Sequence, residues 1–532
     1  MVHEFSLRIL PREAADNDRL KASVCRLKGL DPDHVTGVQL LKRSVDARQR
    51  TVMMQVQVRV FENEPVQSPQ PETIHYEDVS QAPPVIVVGA GPAGLFAALR
   101  LIELHRRPIV VERGKAVSER KRDLAQAVRR QQIDEESNYC FGEGGAGAFS
   151  DGKLYTRSKK RGNVGRILRL FHQFGASDNI LLDAHPHIGT DKLPGIIANM
   201  RQQILDCGGE VHFQTRMTDI LLRDGRCVGI RCQGGEEFRG PVILATGHSA
   251  RDVYELMHRL QMPLEAKGFA MGVRLEHPQA LIDRLMYHSP QGRGEFLPAA
   301  EYSFVEQVDG RGVYSFCMCP GGLVVPAGNE NGALVVTGMS PSNRGTKWAN
   351  SGMVVEIRPE DLPRYSGFVR EVMPSGNDAH SMPVFRQMLQ LQQALEIHTY
   401  RQVAQGLKAP AQRMADFVQG RASESLPSSS YLPGLVASPL HEWLPDEIRR
   451  RLQQGFRLFD RNIKGFLTNE AQLIACETRT SSPLRMLRDP GQMNLQGIRG
   501  FYPCGEGAGY AGGIVSSAID GELCAERCAQ EA

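Results

Sequence analysis

The sequence predicts an α/β protein built around a central parallel sheet, and three stretches carry that expectation. Val85 to Glu112 reads as strand, glycine turn, helix, strand and acid within about 30 residues. Gly209 to Thr246 is rich in short strands, and Gly500 to Cys528 reads as a last strand turning into a helix.

The first stretch opens with Val85-Ile86-Val87-Val88, a branched apolar run suited to a strand buried on both faces. Gly89-Ala90-Gly91-Pro92-Ala93-Gly94 follows. Gly89 permits the tight turn, Gly91 lets a pyrophosphate approach the backbone, and Gly94 lets the helix lie close to the sheet. Pro92 fits a first helical turn, where its missing N–H costs nothing. Leu95, Ala98, Leu99 and Ile102 recur at helical spacing, and Pro108 to Val111 is the next strand, closed by Glu112. The unit is a Rossmann-like dinucleotide site. Helix-terminal N–H groups including that of Ala93 would hold a diphosphate, and Glu112 would accept from a ribose hydroxyl. Arg113, Arg120 and Arg122 stand close behind the acid, and one of them, Arg113 first, is a candidate for a cofactor phosphate. Solvated helix charge is the expectation for the others.

With 532 residues the chain is long enough for two or three domains, and 41% hydrophobic with 23% charged residues is an ordinary globular composition. Lys+Arg 63 against Asp+Glu 60 gives a net charge of +3, which argues against a bulk nucleic-acid or membrane field. Eleven cysteines show no paired CxxC spacing, so no metal is expected and reduced thiols fit best. No basic-then-apolar leader opens the chain and no apolar stretch is long enough to span a bilayer, which suggests a cytoplasmic protein.

Five segments are expected: a small α/β module over 1–62, a proline-rich linker over 63–84, a first nucleotide-binding part over 85–250, an inserted α+β substrate domain over 251–475, and a closing nucleotide-binding part over 476–532. In the module, Phe5–Leu10, Val38–Val45 and Val52–Phe61 alternate as strands and Asp16–Leu27 suits a helix. Further on, Lys115–Glu136 is charged and helical. Asn138–Leu154 carries Gly142, Gly144, Gly145 and Gly147, with Ser150 and Asp151 beside them, and is a candidate second loop against phosphate or ring. Arg157 to Arg169 is basic, a solvated face or a minority RNA-binding option. His185-Pro186-His187 has no further metal ligand at a usual spacing, so His187 remains a candidate proton carrier. Met217, within the strand-rich stretch from Gly209, is grouped with the cofactor-binding residues. Asp224-Gly225 signals a hairpin, and Val242–Leu244 runs into the turn Ala245-Thr246-Gly247.

Glycine fingerprint, acid, meander and ATG turn together resemble the two-dinucleotide-binding-domain flavoproteins. GEGGAGAFSDGKL, HPHIGTDKL, SFCMCPGGLVVPA and YPCGEGAGYAGGIVSSAIDG extend the resemblance over most of the chain, to bacterial FAD-dependent dehydrogenases of undefined substrate. The resemblance implies FAD as cofactor. It places Gly505 and Glu506 in the turn that holds the ribitol, where Asp is the commoner acid, and Gly512, Gly513 and Ile514 at a helix N-terminus facing the flavin pyrimidine.

In the inserted segment, Tyr302–Val305 and Val313–Phe316 alternate as strands and lead into Cys317-Met318-Cys319-Pro320-Gly321-Gly322. In extended backbone Cys317 and Cys319 share a face with Cα atoms about 6.6 Å apart. A bond between them would be strained and easily reduced, and ordinary buried thiols are the alternative. The following Pro-Gly-Gly turn is a candidate for the flavin wall. Ser381–Thr399 is helical, Arg413–Tyr431 an irregular loop. Within Glu477–Arg485, Glu477 is a candidate proton donor or acceptor, and Arg479 and Arg485 candidates for an anionic substrate. The expected activity is an FAD-dependent oxidoreductase passing hydride through a non-covalent flavin, with NAD(P)H as transient donor because one fingerprint is present and not two. The alternatives are a flavin-dependent tRNA-modifying or RNA-binding protein and a non-catalytic flavin-binding partner.

Overall fold

The structure, a computed structural model, describes residues 1–67, 72–156, 162–374 and 382–531. Val2–Ile9, Val35–Asp46 and Met53–Glu62 form a three-stranded antiparallel sheet with Met53–Glu62 in the middle. Asn17–Lys28 packs on it through Leu20, Val24 and Cys25. Asp16 caps that helix by accepting from the Arg19 N–H at 2.9 Å, satisfying a donor the helix cannot.

The central sheet is parallel throughout, in the order Phe501–Pro503, Val242–Leu244, Pro84–Val88, Arg107–Val111, Glu210–His212. Its middle strand is buried on both faces, as its run of branched residues requires. Helix Pro92–Glu103 lies over one face and packs against the C-terminal helix Ile514–Glu531. A methyl at Gly94 would stand 1.9 Å from the Gly89 carbonyl oxygen, so the third glycine of the motif serves close helix–strand packing. Met217–Arg223, Arg226–Cys232 and Glu237–Arg239 form the antiparallel meander, turned at Asp224 and Gly225, both at positive φ.

A seven-stranded mixed sheet forms the second core, in the order Val305–Val308, Arg311–Cys319, Trp348–Ile357, Phe269–Pro278, Gln472–Glu477, Ala409–Arg413, Leu435–Ala437. Helices Val384–Arg401 and Asp446–Asn462 cover it with Met388, Leu391, Leu395, Phe456 and Phe459.

Several expectations are corrected. Helix Arg251–Arg259, assigned to the inserted segment, buries Val253, Tyr254, Leu256 and Met257 against Ile86 and Val88 of the first core. The expected boundary at 475 falls inside strand Gln472–Glu477. Strand pairing before the cysteines begins at Val305, not Tyr302, because Tyr302 and Phe304 turn into an aromatic cluster with Phe466. Met414–Gln419 is a helix, not loop. Arg120 is not solvated: it is wholly buried, on the same helix face as Val117 and Leu124. Arg157 to Arg161, Pro69, Pro71 and Ser381 lie outside the described residues. Among the described residues no helix is long and apolar enough to cross a membrane.

Candidate functional site

The C-terminal ends of the central strands open into a cleft of about 440 Å³. Three backbone N–H groups converge on Glu112: Ala90 at 2.9 Å to Oε2, and Gly114 at 2.9 Å and Gly142 at 3.0 Å to Oε1. The acid thus fastens the first glycine turn to the 138–147 loop. Of about four acceptor positions on a carboxylate, one on Oε2 remains for a ligand hydroxyl. The Gly144 N–H adds a bond to the Ala90 carbonyl at 2.8 Å. Gly91 and Gly145 come so close that a methyl on Gly145 would stand 3.2 Å from the Gly91 Cα. Arg120 clamps the loop from beneath, donating to the carbonyls of Asn138, Tyr139, Gly142 and Glu143.

Gly89, Gly91, Pro92, Ala93 and Glu112 line one wall of this cleft, and Gly145, Gly147, Ser150 and Asp151 another. Met217, Thr246 and Gly247 line it from the meander side. Glu506, Gly512, Gly513 and Ile514 bring the N-terminus of the last helix into it. Gly94, Gly142, Gly144 and Gly505 do not line it. Side chains there would strike the Gly89 carbonyl, Arg120, Ile197 and Ala93 respectively, so they are packing glycines. Arg113 lines the cleft, yet its guanidinium is bound to Glu136 at 2.7 Å and Asp252 at 3.1 Å and lies 4.0 Å over the Phe141 ring.

The inner end is made by the second sheet. Glu477, Arg479 and Cys317 line it. Arg274, wholly buried, donates to Glu477 Oε2 at 3.1 Å, to the Cys317 carbonyl at 2.7 Å and to Asn350 Oδ1 at 2.8 Å. Its Nη2 also stands 3.4 Å from Cys319 Sγ. Burial pushes the Glu477 carboxyl up to about 7, against the pull of Arg274. Cys317 does not continue the extended strand: its φ is 45° and the ladder slips between Phe316 and Cys319. Cys317 therefore lines the cleft while Cys319 stays behind the wall, wholly buried. Lys153 reaches the Met318 carbonyl in the same turn. Arg479 is held by Glu396 at 3.0 Å, and Glu396 also binds Arg251 and the Thr478 hydroxyl. His248, next after the ATG turn, lines the cleft 3.5 Å from Glu506. Burial and nearby cations bring its imidazole down to about 4, and its Nδ1 has no partner.

Other candidates are placed elsewhere. His187 is outside the cleft wall, its Nε2 at 3.1 Å from the Ser342 carbonyl. Arg485 pairs with Glu265 at 2.9 Å. Gly321, in the Pro-Gly-Gly turn, packs against the Arg344 backbone and not the cleft. Arg166, in the basic stretch, is taken up by Glu103 and Glu522. Sequence reading missed Arg274, His248 and Glu396; Lys153 it placed only as a polar group beside the glycine-rich loop. For Arg274 and Glu396 a signal existed: each is the one Asp, Glu, Lys or Arg in its stretch, Phe269 to Leu275 and Met388 to Thr399.

A flavin dinucleotide fits this set of residues. Two helix N-termini, at Pro92 and Ile514, open into one elongated cleft. Methyl groups at Gly512 or Gly513 would meet nothing within 4 Å, so that wall is bare backbone.

Residues 268–480 match the family described as "FAD-dependent protein, C-terminal domain-like", and residues 1–61 match a domain of unknown function. An uncharacterized protein of Clostridium beijerinckii is 37% identical over 530 residues, covering 96% of each chain. Solved structures resemble the chain loosely. CtdE in complex with FAD gives a TM-score of 0.30 at 11% identity, covering 85% of this chain and 88% of that one. A geranylgeranyl bacteriochlorophyll reductase-like protein of Thermoplasma acidophilum gives 0.34 at 12% identity, covering 84% and 79%. With a relative matched over 96% of both chains and the FAD-dependent domain matched across the second sheet, the chain belongs to a family of FAD-dependent proteins.

Proposed function

We propose that the protein is an FAD-dependent oxidoreductase that moves hydride through a non-covalent flavin, with NAD(P)H docking transiently as electron donor. The observation that carries this reading is the convergence of two helix N-termini and the Gly145 loop on one cleft whose inner end holds Glu477. FAD, when bound, supplies the two-electron chemistry.

The chain's own residues bind and orient. N–H groups at the start of helix Pro92–Glu103 would take the diphosphate, with Gly91 and Gly145 giving backbone access. The open acceptor position on Glu112 would take a ribose hydroxyl. Met217 and Thr246 would flank the adenosine end, and Glu506 the ribitol. The N-terminus of helix Ile514–Glu531 would favour negative charge at the pyrimidine end of the ring. At the inner end Glu477 would hold a proton on Oε1, the oxygen turned from Arg274, and deliver it to substrate. Arg479 would orient an anionic group there, its charge already half compensated by Glu396.

The test is purification followed by a visible spectrum and anaerobic mixing with NADH and with NADPH. A yellow protein bleached by either nucleotide is expected. A colourless protein that stays so after incubation with FAD would end this reading.

A further inference from the structure

Behind the cleft wall two sulfurs sit in an arrangement that the flavin site alone does not require. Strand Arg311–Cys319 breaks register after Phe316, and Cys317 adopts a left-handed backbone that a non-glycine residue takes only under constraint. That break leaves the Cys317 side chain on the cleft wall with Cys319 directly behind it. The Cys319 thiol is 3.4 Å from the Cys317 carbonyl oxygen, and the two side chains act on each other electrostatically. Four further groups face the pair, and Asp151 is the one whose negative charge opposes ionisation of either thiol. Arg274 touches the Cys317 carbonyl and the Cys319 sulfur, Lys153 binds the Met318 carbonyl between them, and Glu477 shares Arg274 with them. Two cations beside a thiol favour its thiolate, the form that attacks sulfur. Its neighbour Cys319, with help from Lys153 and Arg274, draws the Cys317 thiol below its ordinary value, while Cys319 is driven up by its neighbour and by burial. One sulfur, on the cleft wall, is thus poised as nucleophile, and the other, buried behind it, as a protonated partner.

We propose that Cys317 and Cys319 form a dithiol–disulfide couple that stores two electrons beside the flavin. This inference rests on the flavin reading above. In the oxidising direction the Cys317 thiolate and the Cys319 thiol join in an S–S bond as the Cys319 S–H bond breaks. Two electrons and that proton pass to the oxidised flavin. In the reverse direction reduced flavin returns two electrons and one proton, and the S–S bond opens. No other oxidant is needed. The couple lets one binding site hold two reducing equivalents from each of two donor molecules before the acceptor arrives.

The test uses the air-equilibrated holoprotein. Under anaerobic conditions it is titrated with dithionite while flavin absorbance is followed. A parallel sample is unfolded in excess N-ethylmaleimide and its peptides are weighed. The expected result is uptake of twice the electrons that the flavin alone accounts for. The peptide carrying both cysteines should be unlabelled before reduction and doubly labelled after it, with the other nine of the eleven cysteines labelled in both. C317S and C319S should return the titration to the flavin's own two electrons while keeping the flavin spectrum. Uptake of two electrons by the wild type, with both cysteines labelled from the start, overturns the couple whether or not the variants fold. A chain that binds no flavin would fail the spectrum first. Its peptides, weighed after exposure to oxidised glutathione, would still report whether the pair closes.

Discussion

Single residues around the cleft divide into those that meet a ligand and those that meet the protein, and the division is testable at two glycines of the first turn, three positions apart. A Cβ on Gly91 would find only ordinary contact, 3.8 Å from the Gly145 Cα, whereas one on Gly94 would lie 1.9 Å from a backbone oxygen. Gly91→Val should fold and melt like wild type yet lose at least tenfold in FAD affinity, or about 1.4 kcal/mol, by flavin fluorescence titration. Gly94→Val should fail to give soluble protein. The motif announces that glycine is needed at each position, but which neighbour demands it is a tertiary fact. Glu477 makes a second prediction. Burial raises its carboxyl from 4.5 to about 7, so the folded protein keeps a proton that the unfolded chain has released between those values. Its contribution to stability is therefore full below 4.5 and lost as pH rises toward 7. If Oε1 delivers the proton, substrate turnover falls as pH climbs through about 7. Glu477→Gln should flatten that limb in a kcat profile while leaving flavin reduction by the nucleotide intact.

Among the elements, the 138–147 loop shows how much of a site is legible and where legibility stops. Its glycines announce close backbone approach, and the adjoining acid Glu112 belongs to a local unit in which each link lies within thirty residues. What holds the loop in place is Arg120, eighteen or more residues before the carbonyls it binds, on a helix whose sequence reads as solvated charge. Only the i, i+3, i+7 spacing of Val117, Arg120 and Leu124 hinted at burial. The Arg274–Glu477 pair is less legible still, its members 203 positions apart. Strand pairing brings them together, and no local pattern encodes that. Arg120→Ala leaves several buried carbonyls without donors, each costing about 1–3 kcal/mol. It should lower the unfolding free energy by roughly 3 kcal/mol or more in urea titrations. It should also weaken FAD binding, although Arg120 touches the loop and not the cleft.

On the scale of the whole molecule the cleft draws on both large sheets and on nothing from residues 1–62. That module is nevertheless seated. Val45, Ala47 and Val52 pack against the second core, Leu297 packs back onto the module, and Arg43 binds Asp183 at 2.5 Å and Asn179 at 3.0 Å. The ion pair is about a third exposed on both sides, so screening leaves it at most about 1 kcal/mol, and apolar contact does most of the seating. A chain lacking residues 1–62 should therefore retain FAD with unchanged affinity and keep its rate of reduction by the nucleotide donor. It should melt several degrees lower, because Leu297 and the surface under Val45 and Val52 become wet. Arg43→Ala alone should shift the melting midpoint by a degree or two at most. Loss of flavin from the shortened chain, with its circular dichroism otherwise intact, would mean that the module acts on the cleft through the second core and is more than a covering for it.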